Sequence, residues 1–125
     1  PALLTRLHRQ LQRDARRFAE VDDEQRHRTR RRVKRLRYAV DFVSALQGDK
    51  AVRRYLKRLQ RAQDALGRYN DLCVAQQAFQ ALAQADPRAW FAVGWLQARR
   101  DAQVADAASA LRRLARARVS WRHAD

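Results

Sequence analysis

The chain has 125 residues, with 28 Lys and Arg against 13 Asp and Glu, a formal net charge of +15 and 46% apolar residues. One Cys (Cys73) excludes an intramolecular disulfide framework and a multi-cysteine zinc cluster, and no uncharged apolar run approaches the roughly 20 residues of a membrane span. The length suits one domain over residues 1–125, and the charge opposes compaction unless an anionic partner offsets it.

Only three Gly and two Pro punctuate the chain, no run reads as a strand, and apolar residues recur at three-to-four spacing, which predicts helices. The first spans about 2–19, with Leu4, Leu7, Leu11 and Phe18 on one face. Arg6, Arg9 and Arg13 interrupt any signal-peptide h-region there. Asp22-Asp23-Glu24 suits the N-terminus of a second helix, about 24–47, striped by Val33, Leu36, Val40 and Val43. Gly48 is a C-terminal stop, and Asp49 can cap the next helix. The third helix, about 50–66, carries Val52, Tyr55, Leu56, Leu59, Ala62 and Leu66 inward, and Gly67 ends it. Asn70 or Asp71 caps a fourth to about 84, with Leu72, Ala75, Phe79 and Leu82 inward; Cys73 reads as a packing residue. Asp86-Pro87 fits an N-cap followed by Pro at the first helical position. The fifth helix, about 88–119, is striped by Trp90, Val93, Val104, Ala108, Leu111 and Ala115, with Trp90, Phe91 and Trp95 expected in the core. Short connections favour antiparallel neighbours. The expectation is an all-α antiparallel bundle of about five helices, a four-helix bundle plus an N-terminal helix.

Charge is unevenly placed. Residues 1–25 are neutral, 26–68 carry +12 and 69–125 carry +3. In the second helix, His27, Arg30, Lys34, Arg37 and Asp41 lie about a third of a turn from the apolar stripe, flanked by Arg31, Arg35 and Tyr38. The cations form a ladder about 15 Å long. Arg53, Lys57 and Arg61 repeat the device on the third helix, with Arg54 and Arg58 beside them. Packed against each other, the two helices would turn both ladders to a common groove suited to a linear polyanion. Arg26/Arg30, Arg28/Arg32, Arg30/Lys34 and Arg31/Arg35 repel at four-residue spacing, at a cost on the order of 1–2 kcal/mol in total. A bound anion relieves that repulsion. Arg dominates, and its donor fork matches phosphate oxygens in two-point contacts.

No catalytic set is evident. Asp41, Asp49 and Asp64 do not form a carboxylate cluster for metal-assisted phosphate chemistry, and His27 lacks a nucleophile. His8 and His123 are expected on the surface, and three scattered His give no metal set. No cofactor is expected. A nucleic-acid-binding helical module is the alternative reading of the charge, but the basic segment has few aromatics and no recognised nucleic-acid motif.

Two blocks of residues sharpen this. His27-Arg28, Arg30, Lys34-Arg35-Leu36-Arg37-Tyr38 and Asp41-Phe42 form the first; Leu59-Gln60, Leu66-Gly67 and Asn70-Asp71-Leu72 form the second. Their order and separation resemble the CHAD family, a histidine-containing all-α family, over about residues 24–119. The resemblance implies non-catalytic binding of inorganic polyphosphate in a basic channel between two similar helical halves. It also implies a cytoplasmic location, at polyphosphate granules; an accessory domain to a triphosphatase encoded elsewhere is an alternative reading. This chain looks like the second, C-terminal half, whose partner is another half-domain or a second copy. Carried over by motif, His27, Arg30, Lys34, Arg35 and Arg37 match the anion-binding helix, while Arg31 stands where the family more often has an apolar residue. Arg53, Arg54, Lys57 and Arg61 join the candidate polyphosphate site on helix geometry.

Overall fold

Leu4, Leu7, Leu11 and Ala15 put a buried stripe along the first helix, α1 (Ala2–Arg17), and Phe18 closes its end at 1% exposure. The computed structural model describes residues 2–118, so the expected helix end at 119 and His123 lie outside the described residues. The second helix, α2 (Asp23–Gln47), starts where expected. The Asp22 carboxylate accepts from the Gln25 N–H at 2.9 Å, which satisfies one of the orphan donors of a helix start. It stops at Gly48, whose φ of 58° is the left-handed conformation that glycine adopts without strain, and the Gly48 N–H returns to the Ser44 carbonyl at 2.8 Å. Asp49 then caps the next helix by accepting from the Val52 N–H at 2.8 Å.

Here sequence and structure part. The expected third and fourth helices are one helix, α3 (Lys50–Ala83), of 34 residues, so four helices rather than five make up the described residues. Gly67 does not end it, and Asn70 and Asp71 are interior rather than capping residues. The reason is an unbroken inward row at alternating spacings of three and four: Val52, Tyr55, Leu59, Ala62, Leu66, Tyr69, Cys73 and Gln76, ending at Ala83. A helical glycine costs about 1 kcal/mol, which continuous burial on both sides of Gly67 outweighs. The row also shifts the expected phase. Tyr69, Cys73 and Gln76 face inward, whereas Phe79 and Leu82 are 38% and 51% exposed. A Cβ at Gly67 would meet nothing within 4 Å. Gly67→Ala should therefore raise stability by about 1 kcal/mol. Urea unfolding measures this, and a loss of stability would mean that the chain bends at that residue.

The last helix, α4 (Ala89–Ala115), comes after the turn at Asp86-Pro87. Its inward row is Ala89, Val93, Leu96, Gln103, Ala107 and Leu114, with Val104, Ala108 and Leu111 beside it. Trp90, Phe91 and Trp95 are not core residues; they are 52%, 86% and 58% exposed. The small residues Ala89 and Val93 face α3 instead, and the aromatics fall on the outer side of the same turns. Each helix packs against two neighbours in the cyclic order α1, α2, α3, α4. The central core joins Leu4, Leu11, Phe18, Val33, Leu36, Val40, Leu59, Leu66 and Leu111. Two buried glutamines fix the α3–α4 register by donating to facing backbone: Gln103 to the Ala65 carbonyl at 2.9 Å and Gln76 to the Val93 carbonyl at 3.1 Å. His8, expected on the surface, is half-buried. Its Nδ1 lies 2.7 Å from the hydroxyl of buried Tyr55, and burial lowers its pKa against a smaller opposing contact with the Ala115 backbone.

Candidate functional site

The cations of α2 are held at both ends and open in the middle. At the first end, Tyr69 of α3 is the hub. Its hydroxyl donates to Asp23 and accepts from Arg26 and from Arg100 of α4, each at 3.3 Å. The guanidinium groups of Arg26 and Arg100 both lie 5.6 Å from the centre of its ring, close enough for cation–π attraction. Arg100 also donates to Asp23 at 2.5 Å and to Gln76. Burial alone would raise the Asp23 pKa, but hydrogen bonds from Tyr69 and Arg100, with the charges of Arg100 and Arg26, outweigh it and hold the carboxyl below its usual value. Burial, chiefly, pushes the Tyr69 phenol up to about 12. His27 stacks at the edge of this hub, its ring 6.1 Å from that of Tyr69.

At the other end, Arg37 bridges α2 to α3. Its Nε donates to Asp41 at 3.1 Å, and its terminal nitrogen donates to Gln60 and, at 3.1 Å, to Gln63. On the α1 side, one terminal nitrogen of Arg32 donates to both carboxylate oxygens of Asp14, at 2.7 and 2.9 Å. Between these anchors, Arg30, Arg31, Lys34 and Arg35 make no hydrogen bond or ion pair among the described residues. Arg31, Lys34 and Arg35 are exposed; His27, Arg30 and Arg37 are half-buried.

The α3 cations do not form one ladder facing α2. Glutamines, Gln60 and Gln63, meet Arg37 across the α2–α3 seam. Arg53 folds back to the Gly48 carbonyl and Lys57 is exposed. Arg54 and Arg61 turn the other way and line clefts shared with α4. Helical phase accounts for the split: residues 53, 54, 57 and 61 spread over about a quarter of a turn or more around the outside of α3, so its two edges face different neighbours.

Two features escaped the sequence reading. Arg100 occupies an inward position of α4 between Leu96 and Gln103, with a side chain only 13% exposed. A lone cation in an otherwise uncharged row was the available signal, because a buried charge needs a partner. The second is the α4 C-terminus, where Arg112, Arg113, Arg116 and Arg118 fall within seven residues. Averaging over residues 69–125 hides them among acids elsewhere. Among the described residues, no group of three or more His, Cys, Asp and Glu could hold a metal ion, and no helix is long and apolar enough to cross a membrane.

A family model described as CHAD domain matches residues 1–80. The match takes in α1, α2 and most of α3, including every candidate anion-binding residue named from sequence, and stops before α4. No curated protein and no solved structure matches the chain.

Proposed function

The chain belongs to the CHAD family, and from that premise we propose that it binds inorganic polyphosphate without catalysis, along the open cations of α2. The observation that carries this reading is the row Arg30, Arg31, Lys34 and Arg35, held on a stretch of α2 pinned on one side at Asp23 and Arg26 and on the other at Arg37, and unpaired among the described residues. Pinning fixes the backbone, so a polyanion orders side chains only, and its charge relieves the repulsion along the row. His27 and Lys57 extend the surface, with Arg53 at its far end; Arg37 serves mainly to hold α2 to α3.

The apolar exposure supports a partner. Tyr38, Phe42 and Leu46 recur every fourth residue on α2 and are each at least 66% exposed. A contiguous apolar surface of this kind marks an interaction face, and a second half-domain or a second copy of the chain would cover it and close the channel. On this reading the protein works in the cytoplasm, at polyphosphate granules.

The test is titration with long-chain polyphosphate at two ionic strengths. Binding should be tight at low salt and weaken steeply as salt rises, because contacts to phosphate release counterions. Failure to bind at low salt would sink the reading. Displacement by DNA at equal phosphate concentration would favour the nucleic-acid alternative.

A further inference from the structure

The strongest cationic feature outside α2 lies on the opposite flank of α3. Two adjoining clefts open between α3 and the C-terminal half of α4. One, of about 400 Å³, is lined by Arg58, Arg61, Ala110, Arg113 and Arg116. The other, of about 310 Å³, is lined by Ala51, Arg54, Tyr55, Arg58, Arg116, Ala117 and Arg118. Arg58 and Arg116 line both, so the clefts lie side by side as an α3–α4 concavity in two parts, and its described lining carries six guanidinium groups in all. Among the described residues, no carboxylate lines either part.

Arg58 is the fixed point. It donates to the Arg113 carbonyl at 2.7 Å, which satisfies one orphan acceptor near the end of α4 and leaves the rest of its donor fork facing the cleft. The side chains of Arg54, Arg61, Arg113, Arg116 and Arg118 have no partner among the described residues. Neutralising the negative end of α4 accounts for one or two basic residues in its last turn. It does not account for Arg54 and Arg61, which come from the first half of α3. Convergence from two helices on one concavity suits a compact anion rather than an extended chain.

We propose that this α3–α4 concavity is a second, separate anion site that takes a compact triphosphate group. Guanidinium forks give two-point contacts to phosphate oxygens, and several forks around one cleft match a ligand with several adjacent phosphates. Among the described residues, the lining holds no exposed aromatic on which a base could stack. The one ring among the described lining residues, Tyr55, is buried and bonded to His8. Free tripolyphosphate therefore fits the site better than a nucleoside triphosphate. The site stands apart from the α2 row and does not depend on that row binding long polyphosphate.

The experiment is calorimetric titration of the full chain with tripolyphosphate and, separately, ATP at low salt. Two variants remove opposite walls: Arg113→Gln with Arg116→Gln, and Arg54→Gln with Arg61→Gln. A control removes the same charge from the far end of the α3–α4 hairpin, Arg88→Gln with Arg99→Gln. Each wall variant should weaken tripolyphosphate binding by about tenfold or more, and the control by no more than about twofold. ATP should bind no tighter than tripolyphosphate. The proposal is overturned if the wild-type chain does not bind tripolyphosphate or if the wall variants lose no more than the control. It also fails if Arg31→Gln with Arg35→Gln on α2 gives the larger loss, and tighter binding of ATP overturns the ligand class. Far-UV circular dichroism confirms folding, and either wall variant alone decides the result. Loss of long-chain binding in the α2 variant is read in its own titration, so the two proposals fail independently.

Discussion

Replacing Arg31, Lys34 and Arg35 together by Gln should weaken long-chain polyphosphate binding by about a hundredfold at low salt while slightly stabilising the fold. All three side chains are exposed and make no hydrogen bond or ion pair among the described residues, so nothing in the bundle is lost with them. Each contributes a charge-assisted contact to phosphate, and three such contacts at about 1 kcal/mol each amount to roughly a hundredfold in affinity. The slope of log affinity against log salt should become shallower by about two units, because each lost phosphate contact removes about 0.7–0.9 of a unit. Stability should move the other way. The substitutions remove the Arg30/Lys34 and Arg31/Arg35 repulsions, worth about 0.2–0.5 kcal/mol each. Titration at several salt concentrations and urea unfolding check the two halves. Unchanged affinity would move the binding surface off α2, and a large loss of stability would show that these cations hold the bundle together.

The second large effect is expected at Tyr69, which is 1% exposed. Tyr69→Ala removes a ring that packs edge-on against Phe18 at 6.2 Å and leaves a cavity among α1, α2 and α3, at a cost of about 3–5 kcal/mol. A domain of this size has a total of only about 5–15 kcal/mol, so this variant should be close to unfolded. Tyr69→Phe separates packing from the polar hub. It keeps the ring beside Phe18 and His27 but removes the hydroxyl shared by Asp23, Arg26 and Arg100, for about 1–3 kcal/mol. The pH dependence identifies the cause. The Asp23 pKa is lowered on folding, so its contribution is present above the unfolded value of 3.8 and is lost as pH falls through 3.8 toward the folded pKa. Tyr69→Phe removes one of the bonds that lower it, so the difference between the variant and the wild-type chain should shrink as the pH drops below 3.8. Chemical unfolding across that range provides the measurement. A difference independent of pH would assign the loss to packing alone.

What the residues determined alone is the helical class, the start and stop of α2, and the placement of charge. Period and caps are local. Asp22, Gly48 and Asp49 act within four residues of themselves, and Val33, Leu36 and Val40 mark one face regardless of what covers it. The two blocks around Lys34 and Asn70 were likewise legible, and the match over residues 1–80 agrees with the family they indicated.

Tertiary structure decided the rest. Whether Gly67 ends a helix depends on the energy of burial beyond it, and distant residues supply that energy: Phe18 packs on Tyr69, and Val93 and Gln97 of α4 meet Gln76. Once α3 is continuous, its phase is fixed from Val52 onward, and Phe79 and Leu82 turn outward for the same reason that Tyr69 turns in. The destination of the α3 cations was equally out of reach. Arg54 and Arg61 sit three to four residues from Lys57, yet they line a cleft with α4 because two helices flank α3 and each claims one edge. Arg100 acquires its partners only when three helices bring Asp23, Tyr69 and Gln76 around it. A sequence records which side chains share a helix face; which neighbour that face meets is settled by packing between residues far apart in the chain.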